Sequence, residues 1–408
     1  MTRRGLSKAR LTRVSLLLAL GTVLSTSALA DSRDQAKRLH DRIAGVPPGE
    51  TTLTAMAAEI DANREIDAAL LATDAPEFYS VTLKNFAAPW TNRDRSVFVP
   101  LNDYIATVIG IVRDERDFRE ILYGDIIYVG TGTNNGYRPN DNDHYEELEA
   151  SGADLSNRTT FRMQTQSSVT GLPPQATAGV MTTRAAAKAV FIDGTNRAMF
   201  RFTLLNHLCN DMEQVLDITR SPDRIRQDVS RSPGGDSRVF LNNCIGCHSG
   251  MDPMAQAFAY YDYEYDVNGD PDGEFGAIHY NDSGTTDPET GTRVESKYFN
   301  NANNFSHGFA TPDDAWSNYW RAGQNSLLGW DPLLTGSGSG AKTMGQELAH
   351  SDAFAQCQVE KVFTNVCLRP PQDTADRNQI DAMVSSLRGS GYNLKQTFAE
   401  SAVYCMGD

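Results

Sequence analysis

Apolar residues recur along most of this chain at intervals of three and four, the spacing that lines up one face of a helix. Residues 52–72 are Ala-rich and carry Leu53, Met56, Ile60, Ile66 and Leu70, which predicts an amphipathic helix. Leu101, Tyr104, Ile105, Val108, Ile109 and Val112 predict a stronger one, followed after a charged interruption by Phe118, Ile121 and Leu122. Residues 191–212 predict a further apolar helix ending near Cys209, and residues 222–229 a short polar one. In the last third, Ser351 is a natural N-cap for a helix over 352–368. A second helix over 375–388 carries Ile380, Met383, Val384 and Leu387 before Gly389, and a third over 393–404 carries Leu394, Phe398 and Val403. Alternation with period two is scarce, and Ile126–Val129 and Phe161–Gln164 are the candidate short strands.

Long polar segments separate these helices. Residues 130–157 and 265–315 are rich in Gly, Asn and Asp, and Thr335–Gly340 reads as a flexible Gly/Ser linker. Loops of this length in a compact domain are functional, disordered or wrapped around something. The expected fold class is mainly α, with long irregular loops and a C-terminal three-helix module. The expected divisions are a leader (1–30), an N-terminal mostly helical region (31–175), a central region (176–334) and the C-terminal module (343–408). No internal repeat is present.

The central region carries the chemistry. Cys244-Ile245-Gly246-Cys247-His248 is a C-x-x-C-H pentapeptide, the attachment pattern of c-type haem. Two thiols at this spacing add across the vinyl groups of one porphyrin, and the adjacent imidazole ligates the iron from one face. A zinc site would need a second ligand pair at matching spacing, and the sequence offers none. A single motif argues against a multihaem array and a two-haem peroxidase. The central region is therefore expected to be a helical c-type haem domain, with Cys244 and Cys247 holding haem c and His248 as the proximal iron ligand.

Covalent haem requires export, and the N-terminus has the features of a secretory signal. Arg3, Arg4, Lys8, Arg10 and Arg13 precede an apolar run from Val14 to Leu24, and Ala28-Leu29-Ala30 is a small-residue cleavage site before Asp31. The run is too short and too broken for a membrane span, which needs about 20 apolar residues. The expected location is periplasmic or extracellular, with no stable membrane span after cleavage. The leader holds five basic residues and no acidic one, so its removal takes the formal net charge from −15 to about −20. Such a surface repels nucleic acid and either keeps the protein soluble or favours a partner with a basic face.

Setting Cys244 and Cys247 aside leaves Cys209, Cys357, Cys367 and Cys405, an even number for an oxidising compartment. Cys357 and Cys367 fall on one predicted helix, about 15 Å apart, whereas bonded cysteines have Cα atoms within about 7 Å. They cannot bond each other. One is expected to pair with Cys405 and the other with Cys209.

Asn243 to Ala255, running on to Tyr260-Tyr261-Asp262-Tyr263, resembles the haem-motif module of planctomycete-type cytochrome-like proteins, where C-x-x-C-H is followed by D-P and an apolar run ending in F-D or Y-D. Ala178-Gly179-Val180-Met181-Thr182 with Asn196-Arg197-Ala198 is similar to the module that precedes it. Ser351-Asp352-Ala353-Phe354 through Cys357 and Arg369, then Gly391-Tyr392-Asn393-Leu394, is similar to its C-terminal helical module. The resemblance covers roughly 97–128, 178–263 and 343–404 and implies a secreted haem protein of that architecture, without implying a reaction. The separate N-terminal cytochrome domain often joined to these modules is absent from this sequence.

The sixth iron ligand divides the functional classes. Met344, just past the Gly/Ser linker, is the distal candidate, with a core methionine as its alternative. His144, His307 and His350 are the other candidates, while Met251 and Met254 follow His248 too closely to reach the opposite face. Asp266-Val267-Asn268-Gly269-Asp270-Pro271-Asp272-Gly273-Glu274 spaces oxygen ligands as a calcium loop does, but position twelve is His279, and an acidic solvated loop is the alternative reading. Hydrolase and phosphate-binding motifs are absent. The expected function is single-electron transfer to or from another redox protein by an exported monohaem protein. The alternative is a haem enzyme or ligand sensor with an open distal position, lined by Tyr260, Tyr261, Tyr263 or His144.

Overall fold

The computed structural model describes residues 31–224, 238, 240–288, 291–298 and 311–407. The leader, His307 and most of the expected 222–229 helix lie outside the described residues. The described chain is mainly helical, with three two-stranded antiparallel ribbons.

Ser32–Ala44, Glu50–Asp61 and Glu65–Ala72 pack on one another and on the last helix, Leu394–Cys405, so the two ends of the chain share one core. Phe398 sits edge-on to Phe78 and Phe86 at 5.1 and 5.4 Å. Burying each such ring contributes about 1.5–3 kcal/mol. The helix expected over 52–72 is two helices, because Asn63 adopts a left-handed conformation (φ 57°) that closes the first and starts the second. Asn tolerates that conformation at low cost, and the uninterrupted apolar spacing on either side hides the break.

The Asp103–Arg113 helix is buried along its whole length, capped by the Asn102 side chain on the Ile105 N–H at 3.0 Å. The two expected strands pair with each other as β1 (Ile127–Gly130) and β2 (Phe161–Gln164), with Tyr128 opposite Met163. A separate helix, Arg184–Phe191, ends before Gly194, and the helix expected within 191–212 is Asn196–His207. Cys209 lies just beyond it at φ 54°.

The polar central segment is more ordered than its composition predicts. Tyr261–Tyr265 (β3) and Gly276–Tyr280 (β4) form a hairpin, and Ala315–Ser317 (β5) pairs with Ser337–Ser339 (β6) inside the expected linker. Gly336, at φ 70°, would place a Cβ 2.4 Å from the Arg321 side chain, so glycine there serves close packing. Helix Gly340–Ala349 follows directly.

The C-terminal helices are Asp352–Cys367, Thr374–Gly389 and Leu394–Cys405, with Ser351, Asp373 and Asn393 capping through their side chains. Two disulfides tie them down. Cys209–Cys357 and Cys367–Cys405 have Cα separations of 5.3 and 5.5 Å, which resolves the open pairing. The first joins the segment before the C-x-x-C-H motif to the C-terminal helices.

Candidate functional site

The C-x-x-C-H motif opens a helix. Cys244 occupies the N-cap position of Ile245–Ala255, Cys247 and His248 fall in the first turn, and Asp252 lies one turn later on the face of His248. Two glycines let neighbours approach closely. A Cβ on Gly250 would lie 1.9 Å from the indole nitrogen of buried Trp320, and one on Gly246 would lie 2.7 Å from Leu216 and 3.1 Å from Ile218.

The segment carrying those two residues is stitched to the motif helix. The Asp217 N–H donates to the Gly246 carbonyl at 3.0 Å, and the Ser249 hydroxyl donates to the Asp217 carbonyl at 3.0 Å. The Cys247 thiol points at the Met212 carbonyl at 3.6 Å. Asn325 holds the segment from behind by donating to the Val215 carbonyl at 2.7 Å. Against Gly246, between the two cysteines of the motif, this leaves an apolar ledge, with Leu216 and Ile218 exposed to 41% and 70%.

His248 is held by a carboxylate one turn further along its helix. Its Nδ1 lies 2.9 Å from Asp252 Oδ1, and the carboxylate is gripped by Arg197, with Nε at 2.8 Å and Nη2 at 2.5 Å from its two oxygens. Burial works against the Asp252 charge, but Arg197 and His248 together hold its carboxyl below the ordinary value. Arg197 is fixed by its helix, whose Asn196 side chain donates to the Ala255 carbonyl at 3.0 Å and so caps the end of the motif helix. With Nδ1 engaged by Asp252, metal coordination falls to Nε2.

Cys244 and Cys247 are half-buried and bonded neither to each other nor to another cysteine, while the remaining four cysteines are all paired. Burial pushes the Cys247 thiol up, and Glu213, Cys244 and Asp211 push it the same way. Redox-active dithiols sit in electropositive surroundings that do the reverse. No group of three or more His, Cys, Asp or Glu is placed to hold a bare metal ion among the described residues. Two unbonded thiols, an exposed apolar ledge beside them and an imidazole with its tautomer set by a carboxylate fit a covalently held haem.

The other candidate residues lie elsewhere. Met344 follows the core alternative: it belongs to the Gly340–Ala349 helix and is fully buried, because the strand pairing of Ser337–Ser339 orders the expected linker and delivers that helix into the core. His144 is buried with both ring nitrogens occupied. Its Nε2 accepts the Gly130 N–H at 3.0 Å and its Nδ1 donates to the Asn135 carbonyl at 2.8 Å, which ties down the loop after β1. His350 bonds the Gln346 carbonyl within its own helix at 2.8 Å and stacks on Tyr123.

Tyr261 and Tyr263 donate to the Ala176 and Gly273 carbonyls, each at 2.7 Å, and Tyr260 lies under the Arg293 guanidinium at 4.0 Å. Met251 and Met254 belong to the motif helix and are buried. In the calcium-like loop, Asp266 accepts the N–H groups of Asn268 and Gly269, and Asp270 accepts that of Phe275. Those carboxylates close the β3–β4 turn.

Asp252, Arg197 and Trp320 were given no role by sequence reasoning. Asp252 was within reach as the residue four positions after His248, but Arg197 is 55 residues away and meets it only through the packing of two helices. No protein-family model matches this chain, and neither a curated protein nor a solved structure matches it significantly.

Proposed function

We propose that this chain is an exported monohaem c-type protein that transfers single electrons. Cys244 and Cys247 hold the haem covalently, and His248 ligates the iron through Nε2. The observation that carries the reading is the partition of the cysteines: four are consumed in disulfides, and the two of C-x-x-C-H remain as thiols at the start of one helix beside an exposed apolar ledge. Bound haem would supply an iron centre that changes oxidation state by one electron. The chain's own part is to anchor the ring, cover it with Leu216 and Ile218, and fix the imidazole through Asp252.

The basic leader, the paired disulfide cysteines and the architecture expected from the planctomycete-type modules support a secreted, periplasmic setting. The strongly acidic charge supports a redox partner with a basic face. No described helix is long and apolar enough to cross a membrane.

The second reading, a haem enzyme or ligand sensor with an open distal position, draws support from the commitment of Met344, His144 and His350 to core and loop packing. Absorption and EPR spectra of the purified holoprotein in both oxidation states separate the two. Electron transfer predicts six-coordinate, low-spin iron, unchanged in Met344→Ala because that side chain packs in the core. A high-spin spectrum that responds to CO or cyanide would replace the carrier reading with the second, and a ligand change in Met344→Ala would return Met344 to the iron.

A further inference from the structure

His248 is backed by a charged and clamped carboxylate where a neutral backbone carbonyl would serve to orient it. Asp252 lies one helical turn beyond His248, almost wholly buried, with an oxygen 2.9 Å from Nδ1. Arg197 meets both of its oxygens in a fork whose planar geometry fixes the plane of the carboxylate as well as its position. The fork is itself built in: Arg197 is on the first turn of a helix whose neighbouring Asn196 caps the motif helix at Ala255. Sequence-distant packing thus brings a cation to the residue behind the proximal imidazole.

We infer that Asp252, held by Arg197, is a positioning residue that strengthens His248 as a ligand and thereby lowers the reduction potential of the iron. The inference rests on the haem reading given above. A carboxylate that accepts the Nδ1–H draws the ring toward imidazolate character, fixes the tautomer and raises the basicity of Nε2. A more basic axial nitrogen favours the more highly charged ferric ion over the ferrous one. Hydrogen bonding behind the axial ligand is one of the few levers a protein has on haem potential. Arg197 balances the arrangement by compensating the charge of a buried carboxylate. The chain is accordingly set to give up its electron more readily than a protein whose imidazole is backed by a neutral acceptor.

The test is a redox titration of holoprotein matured in a periplasm, as wild type, Asp252→Asn and Asp252→Glu, with covalent haem verified on a denaturing gel. Asp252→Asn is expected to shift the ferric/ferrous balance about tenfold toward ferrous, a rise of about 59 mV for one electron. Asp252→Glu, which keeps the carboxylate, is expected to return most of that shift. If Asp252→Asn fails to accumulate, the wild type decides: the iron–histidine stretch of the five-coordinate ferrous form, reached by photolysis of the CO adduct, should lie above that of haem bound by neutral imidazole in water. Covalent haem with an unchanged potential in Asp252→Asn, or a stretch at the neutral-imidazole position, overturns the inference alone. A wild type without covalent haem overturns the cofactor reading and the inference with it.

Discussion

At Glu295 burial and charge act in the same direction. Burial raises its carboxyl, Asp262 and Asp287 add to the rise, and His279 and Lys297 only partly oppose it, so the group is pushed up to about 7. An acid whose folded value lies above its unfolded one binds more protons when folded. Its contribution is therefore present at low pH and lost as pH rises from the usual carboxylate range through about 7. Glu295→Gln should stabilise the protein above pH 7 by on the order of 1 kcal/mol, after allowing for solvent screening of a half-buried group, and change little at pH 5. Denaturant unfolding at the two pH values checks this, and equal effects at both would contradict it. At the same scale the sequence was uneven as a guide. Cys244, Cys247 and His248 could be picked out as candidates because the C-x-x-C-H spacing is contiguous in sequence. Arg197 could not, because its role depends on a contact 55 residues away.

Among the elements, the C-terminal helices were legible because each carries its own start signal and period. Ser351 bonds the Phe354 N–H at 3.2 Å, and Asp373 bonds that of Asp376 at 2.9 Å. No helix was assigned to the motif from period alone, because Gly246, Gly250 and Pro253 interrupt its apolar spacing; in the fold the glycines admit Leu216 and Trp320 against the backbone. Gly/Ser composition at 335–340 signalled flexibility, but pairing of Ser337–Ser339 with Ala315–Ser317 overrides it. Met344 consequently takes the core position that was its alternative reading. The disulfides act at this scale. Cys367–Cys405 closes a sequence separation of 38 residues, so loop-closure entropy gives it about 3–4 kcal/mol. The variant carrying Cys367→Ser and Cys405→Ser together should lose stability of that order in thermal unfolding, and a loss under about 0.5 kcal/mol would contradict the assigned role.

Across the whole molecule, the N-terminal and C-terminal helices share one core, and the Cys209–Cys357 bond fastens the approach to the motif helix onto it. The motif helix is anchored to that frame by Trp320, Asn196 and Asp217, and the exposed Leu216 and Ile218 lie against Gly246, which stands between the two cysteines in sequence. A mainly helical chain with long polar segments thus presents the C-x-x-C-H motif on a rigid support. The mainly helical character was legible from period alone. The ribbons within the polar segments were not, because their pairing partners are as far apart as Ala315 and Ser339. The central claim is that Cys244 and Cys247 carry one haem. Intact-mass analysis of the protein exported in a host that matures c-type cytochromes tests it most directly, followed by peptide mapping. The account predicts the mass of the chain from Asp31 onward plus one haem, carried on the peptide that contains Cys244 and Cys247. Recovery of that peptide without haem and with both thiols open to alkylation would contradict it.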